Sequence, residues 1–532
     1  MRILDQHSRA QVQSVIDANL AELRQLPNFV GAEPGFPIVD GAILREPAIL
    51  VFVDQKKPAT HLLPEERVPR QLGPYRVAVM QASPLRQIEG SGEHTSVAAA
   101  ITASATGLTY KPLPGNPINK TFQVSKPMLC HVGPDAGWPV LQPFLEATQS
   151  TLSVAMYDFN ADYIATAFID AVKSNDIQVV LTWDDGMTAP EEKIRKKLRT
   201  KLKDNMDGWI VKCGSRRRFA SAYHEKVAVR DHESFWLSSG NWSVRSQPEI
   251  DPIGDPDSAR GMYSKGNREW HIIVEDAPLA QLFEKYIEHD RDGSKEEDEQ
   301  GEPGVTLGLQ PSARLPDLFV SIEDLTDTTM ALRPPNPVKS ASLPTTPRTI
   351  TVQPVLTPDN YIERLNELLD GAERSIYLQF SYITYSDKAG DEPFTEILAK
   401  LAELSFKPAM DVRIIVGSGD AADKIRRLAE AGFNEKVFRT QGGIHNKGIV
   451  VDGARVLVSS TNWSGDGVVR NRDAGLIIHD EEIAGYYQGV FLDDWDKRAK
   501  TRIEDDVSAR IAGENEPVPA GMVRMSWRDY YG

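Results

Sequence analysis

Two stretches, Tyr223-His224-Glu225-Lys226-Val227-Ala228-Val229-Arg230-Asp231 and Ile444-His445-Asn446-Lys447-Gly448-Ile449-Val450-Val451-Asp452, spell one pattern twice, 221 residues apart. Each reads His-x-Lys, four residues, Asp. After nine intervening residues each copy reaches Asn-Trp-Ser, at Asn241-Trp242-Ser243 and Asn462-Trp463-Ser464. A single His-x-Lys recurs by chance, but two copies with matched asparagines mark an internal duplication. In a strand, His and Lys at i and i+2 share one face, and the residue between them, Glu225 or Asn446, points away. The apolar residues after each lysine carry the strand into a core. Each asparagine then lies on the loop after the next strand, Phe235–Leu237 or Val456–Val458, where it returns to the same edge.

The duplication is wider than its motifs. Pro134-Asp135, an apolar helix Val140–Ala147 and the strand Leu152–Tyr157 match Pro358-Asp359, the helix Tyr361–Leu369 and the strand Ser375–Phe380. Each half continues with a helix, a buried strand (Ile177–Thr182; Val412–Val416), a second helix and the motif strand. Strands alternating with helices predict an α/β fold, mixed sheets flanked by helices. Ahead of them, apolar residues at helical spacing over Gln11–Leu26, a hairpin turning at Asp40-Gly41, and strands at Ala48–Val53 and Tyr75–Met80 predict a small α+β domain. The expected organisation is thus an N-terminal domain at 1–85, a linker at 86–125, a first half at 126–289, an acidic and proline-rich linker at 290–350, and a second half with a C-terminal tail at 351–532. The run Asp290–Glu302 reads as solvated and flexible, with some packing around Leu318–Ile322.

The 532 residues are 41% hydrophobic and 26% charged, ordinary for globular protein. No apolar run approaches the ~20 residues of a membrane span, the first residues turn polar at once, and two cysteines, Cys130 and Cys213, are too few for a disulfide framework or a cysteine-rich zinc site. A cytoplasmic location is the default expectation. The net charge of −16 argues against a protein that wraps nucleic acid over a broad surface. Asp40 and His61 fit a turn and a surface loop, and His271, His289 and His479 fall outside the repeated pattern.

Two imidazoles, two ammonium groups and two carboxamides around one pocket suit a tetrahedral anion. Lysines neutralise a phosphate as point charges and asparagine amides donate to its oxygens. Two imidazoles can divide the work of nucleophile and general acid near neutral pH. This chemistry requires neither metal nor cofactor.

On these residues the chain resembles the phospholipase D superfamily over about 126–505. The resemblance implies two pseudo-twofold-related α/β halves with one active site at their seam, and hydrolysis through a covalent phosphohistidine. By position, His224 would attack phosphorus, and His445 would protonate the leaving oxygen and then activate water. Lys226, Lys447, Asn241 and Asn462 would grip the phosphate. The family's acidic residue, held against the active histidine, would be Glu269 in Asn267-Arg268-Glu269 and Asp473 in Asn471-Arg472-Asp473. Asp231 and Asp452, each at the turn after its motif strand, are expected to be structural. The expected substrate is a phospholipid at a membrane surface, cleaved to phosphatidate and alcohol, with nucleic acid as the alternative and an inactive scaffold as a further one. The basic helix Lys193–Lys203 and Arg216-Arg217-Arg218 could follow an anionic backbone or bilayer. Phe219–Tyr223 could offer an apolar lip or a stacking surface. No partner is read for the N-terminal domain.

Overall fold

The computed structural model describes residues 3–91, 105–299, 316–325, 339–341, 348–417, 419–503, 509–513 and 515–531. Two eight-stranded mixed sheets carry the duplicated halves. The first runs Met206–Val211, Gln178–Asp184, Thr151–Met156, Lys226–Arg230, Ser234–Ser238, Glu269–Glu275, Met128–Gly133, Lys339–Ala341. The second repeats that order with Phe438–Gln441, Asp411–Gly417, Ser375–Phe380, Lys447–Val451, Arg455–Ser459, Ala474–His479, Ile350–Leu356, Phe122–Val124. Each motif strand is therefore central, antiparallel to both neighbours, with Lys226 opposite Met156 and Lys447 opposite Phe380. Central placement explains the apolar runs after each lysine, because such a strand is covered on both faces.

One face of each sheet packs against the other across the seam. Val227, Val229, Phe235, Leu237 and Trp270 share a continuous core with Val450, Val456, Val458, Leu476 and Ile478. The repeat breaks its own symmetry there to fit. Trp270 lies where a Cβ on Gly448 would come within 2.3 Å of its ring, and the residue matching Gly448 in the first half is Val227. A large side chain on one half thus interlocks with a missing one on the other.

The two stretches expected as linkers do more than connect. Phe122–Val124 pairs with Ile350–Leu356 and completes the second half's sheet, whereas Lys339–Ala341 pairs with Met128–Gly133 and completes the first. Each half closes its edge with a strand from outside its expected bounds. Within the expected linkers, residues 92–104, 300–315, 326–338 and 342–347 lie outside the described residues.

The acidic run corrects a second expectation. The helix Ala277–Glu299 carries its described part, burying Leu279, Leu282, Phe283, Tyr286, Ile287, Asp290 and Ser294 along one stripe. This is helical periodicity, which a count of charges hides because Asp290 occupies one of the apolar positions. It is tolerated there because Arg472 and Arg218 reach it, at 2.6 and 3.2 Å.

The N-terminal helix Gln6–Leu23 is capped by Asp5, which accepts from Ser8 N at 2.7 Å. It packs Val12, Ile16 and Leu23 on Ile49, Val51 and Val77 of a four-stranded sheet. The hairpin at 38–43 turns through Asp40 and Gly41, φ +52° and +79°, which suits a two-residue turn with both central residues left-handed. The opposite face of this sheet joins the second half's core through Phe36, Leu50, Phe52 and Met80. Charge reinforces that union. Arg426 on the helix Ala421–Glu430 is fully buried against Glu33 at 2.6 Å, Arg86 bonds Asp423 at 3.2 Å, and Arg9 bonds Glu430 at 2.7 Å. Among the described residues no helix is long and apolar enough to cross a membrane.

Candidate active site

The two motif segments enter the seam side by side with the acid-bearing segments of the opposite halves. His224 N donates to Arg472 O at 2.7 Å and Arg472 N to Ala222 O at 3.1 Å. On the other side, His445 N donates to Arg268 O at 3.1 Å and Arg268 N to Gly443 O at 2.7 Å. These short backbone bridges cross the histidine–acid pairs between the halves. His224 Nδ1 lies 2.7 Å from Asp473 Oδ1, and His445 Nδ1 lies 2.9 Å from Glu269 Oε1. Each pair therefore needs both repeats. The shorter Asp473 side chain reaches its histidine as well as Glu269 does, with Ser460 Oγ donating to the same oxygen at 2.8 Å.

The lysines are held alike. Lys226 Nζ donates to His224 O at 2.8 Å and Lys447 Nζ to His445 O at 2.7 Å. Asn462 Nδ2 lies 3.5 Å from His224 Nε2, and its Oδ1 accepts from Ser381 Oγ at 3.0 Å. Its counterpart Asn241 is buried, and Asn241 Oδ1 meets no donor among the described residues. The two half-sites differ where Ser381 has Tyr157 as its counterpart. That ring stands edge-on to His224 with centroids 4.4 Å apart, and Lys226 Nζ is 4.7 Å from its centre.

Asp231 and Asp452 sit away from this cluster at left-handed turns, φ +54° and +56°. Asp231 accepts from the backbone of Gln149, Ser150 and Thr151, and Asp452 from that of Glu373, Arg374 and Ser375. Each ties its motif strand to the start of the neighbouring one.

The site takes two ammonium groups, two imidazoles and two carboxyl groups out of water together. Burial pushes Lys447 down to about 7, against the opposing pull of Glu269 and Asp473. It pushes Glu269 up to about 8 and Asp473 up to about 7, although the lysines oppose both shifts. His445 is driven well below the usual imidazole range by burial, then by Lys447, Lys226, His224 and Arg245. That His445 feels the first half's lysine and histidine places both motifs in one cluster.

Glu269 also explains a glycine. A Cβ at Gly240 would stand 1.5 Å from Glu269 Oε2. Gly240→Ala is therefore expected to displace that carboxylate from His445 and lower kcat/KM on a chromogenic diester about 100-fold, as ångström-scale misplacement does, while circular dichroism stays native. Retention of full activity would show that Glu269 does not orient His445.

Reading charge from sequence missed the arginines beside the acids. Arg472 is fully buried, bonded to Asp290 at 2.6 Å and Asp359 at 2.7 Å. Arg268 repeats this with Asp494 at 2.9 Å and with Asp135. Each arginine joins the Pro-Asp element of its own half to the long helix of the other, Ala277–Glu299 or Glu481–Lys497. The matched Pro-Asp and Asn-Arg-acid elements were the available signal.

The features proposed for following a polyanion are placed differently. Arg217 and Arg218 are buried, paired with Asp298 and Asp290. Phe219 and Tyr223 are buried too, so they form no lip. On the helix Ala189–Leu202, Arg195 pairs with Glu192 and Lys197 with Asp162, and Lys193, Lys196, Arg199 and Lys201 face solvent. Among the described residues one group, Asp184, Asp185 and Cys213, brings metal-ligating atoms within 4.8 Å of one another. Asp184 Oδ2 already accepts from Tyr223 N at 2.7 Å, so this group braces the motif strand.

The family model of the cardiolipin synthase, phospholipase D-like domain matches residues 141–291 and 365–495, more than half of the chain. The mitochondrial cardiolipin hydrolases of Xenopus laevis and Xenopus tropicalis are similar, 29% identical over 160 residues and 30% over 158. Each alignment covers 27% of this chain, with 71% and 70% of the respective relative. Among solved structures, the phosphatidylserine synthase of Haemophilus influenzae Rd KW20 is 12% identical, covering 78% of this chain and 92% of its own, with a TM-score of 0.43. With both repeats matched, the chain belongs to the phospholipase D superfamily of phosphodiesterases.

Proposed function

We propose that this protein hydrolyses a phospholipid head-group phosphodiester through a phosphohistidine. The observation that carries the reading is the crossed pair of histidine–acid contacts, which gathers two imidazoles and two lysines into one buried cluster. In this reading Lys226, Lys447, Asn241 and Asn462 hold the non-bridging oxygens and stabilise the charge that grows on them. With Nδ1 engaged by Asp473, His224 presents Nε2 as nucleophile. A P–N bond forms, the P–O bond to the leaving alcohol breaks, and His445 gives that oxygen its proton. Water then loses a proton to His445 and attacks phosphorus, the P–N bond breaks, and both histidines are restored. A bound phosphodiester opposes the low proton affinity of His445, because its negative charge favours the imidazolium. The burial of Arg217 and Arg218 removes one support for a nucleic-acid track, and the names of the Xenopus relatives favour lipid.

Acid quenching with 32P-labelled phospholipid, and separately with 32P-labelled single-stranded DNA, tests the substrate. Acid-labile label on the wild type from lipid, absent from His224→Ala, is the expected result. Label from DNA alone would replace lipid by nucleic acid, and label from neither would remove the covalent mechanism.

The pH profile follows from Lys447. A base with a lowered pKa loses its proton as pH rises through about 7, so on bis(p-nitrophenyl) phosphate, whose leaving group needs no proton from His445, kcat/KM is expected to fall above that pH. Bound phosphate holds the proton on, so the alkaline limb of kcat lies at higher pH. Lys447→Arg keeps its charge and should carry the kcat/KM limb upward even where its rate is lower. A limb unmoved by that substitution would assign the titration elsewhere.

A further inference from the structure

The site is open on one side. Of the two histidines, His445 lines a cleft. At the matching place beside His224, Ser221 and Ala222 bind Asn471 Oδ1 through their backbone nitrogens, at 2.9 and 3.1 Å. Near His445 the corresponding residues are Gly442 and Gly443, the latter at φ +66°. The floor of the cleft is Ser381 and Tyr382, so it runs directly into the Ser381–Asn462 contact of the phosphate site. Its far wall comes from a small cap, in which the strands Leu318–Ser321, Arg510–Ile511 and Met522–Met525 form one sheet, and Leu325, Tyr530 and Tyr531 reach the cleft.

Inside the cleft the protein holds its own ammonium group in a cage. Lys424 Nζ lies 2.6 Å from Asp420 Oδ1, 4.5 Å from the centre of the Tyr382 ring and 5.3 Å from that of Tyr531. Carboxylate and aromatic faces together are how an aminoalcohol head group would be bound. Here a side chain fills that place, and Arg245 on the opposite half adds another positive charge to the cleft.

We propose that Lys424 is a specificity-determining residue that occupies the ammonium cage of the leaving-group slot, so that the enzyme rejects cationic leaving alcohols and accepts uncharged or anionic ones. The proposal rests on the reading that His445 protonates the leaving alcohol, which puts that alcohol in this cleft. A choline or ethanolamine group entering it meets Lys424 and Arg245 with the cage carboxylate already neutralised. A glycerol-type alcohol meets tyrosine hydroxyls, the Asn267 amide and the Arg245 guanidinium, all of which can hydrogen-bond to it.

The test is the ratio of kcat/KM on phosphatidylglycerol to that on phosphatidylcholine, in detergent mixed micelles, for wild type, Lys424→Met and the double variant Asp420→Asn with Lys424→Met. Both substrates are measured on one preparation, so the ratio does not depend on the folded fraction. Wild type should favour phosphatidylglycerol at least roughly tenfold, and Lys424→Met should cut the ratio by about tenfold or more by freeing Asp420 and the two rings. The double variant should lose that gain for phosphatidylcholine. An unchanged ratio in Lys424→Met, or a wild type that cleaves both lipids equally, overturns the proposal. So does a wild type that cleaves neither lipid yet forms the labelled enzyme with DNA. Absence of label on His224 from any substrate overturns the underlying mechanism, a failure distinct from an unchanged ratio.

Discussion

Replacing His224 with alanine is expected to lower turnover of bis(p-nitrophenyl) phosphate by about 10³-fold or more and to abolish any pre-steady-state burst, because no P–N bond can form. His445→Ala should behave differently. p-Nitrophenolate leaves without a proton, so the first step survives, and the loss falls on the second, in which His445 activates water. One equivalent of p-nitrophenol should appear quickly, followed by slow turnover. On a diester with an alkyl leaving group the same variant should lose about 10²- to 10⁴-fold in the first step too, the range general acids supply. The structure motivates this division, since His224 is enclosed with its Nδ1 on Asp473, whereas His445 lines the open cleft. A burst from His224→Ala and none from His445→Ala would exchange the two roles. In the proposed mechanism Lys226 and Lys447 supply the cationic charge that a metal supplies in metal-dependent phosphodiesterases. EDTA is accordingly expected to leave turnover of the same substrate unchanged, and loss restored by added metal would overturn this account.

Much of the architecture was legible because duplication doubles weak signals. The strand Ser375–Phe380 and the paired positions of His-x-Lys and Asn-Trp-Ser are where periodicity and repetition place them. The acids were legible too, as Glu269 and Asp473 precede matching apolar strands. What repetition could not reveal was the crossing. Linear order assigns Asp473 to the half of His445, and only the backbone bridges between Tyr223 and Arg472 and between Arg268 and Ile444 exchange the partners. Charge misled in both directions. Asp290 opens an acidic run and yet lies fully buried, and Arg217 and Arg218 turn into the protein from a basic triplet whose Arg216 stays exposed. In each case an opposite charge, distant in sequence, decides the outcome. Edge strands such as Phe122–Val124 were illegible for a related reason. A three-residue strand has no periodicity of its own and is defined by the sheet it joins.

Those buried pairs carry the second large effect. Arg472→Met is expected to destabilise the protein by about 3–5 kcal/mol, the range for removing one partner of a buried ion pair. Asp290 and Asp359 would then remain enclosed without their shared cation, and methionine cannot replace the bond from Arg472 Nη1 to Thr357 O at 2.8 Å. The pseudo-twofold makes the expectation stricter. Arg268 holds Asp135, Asp494 and Gly133 O in the same manner, so Arg268→Met should cost a similar amount. The exposed Arg216 provides the control, its replacement by alanine staying within about 0.5 kcal/mol. Urea unfolding followed by hydrogen exchange of the peptides that hold Trp270 and Trp463, one from each half, reads all three. Because each arginine ties its own half to the other's helix, either loss should lower both signals together. A variant in which Trp463 reports unfolding while Trp270 stays native would show the halves to be independent units, and the crossed contacts on which the site depends would then be a consequence of docking and not its cause.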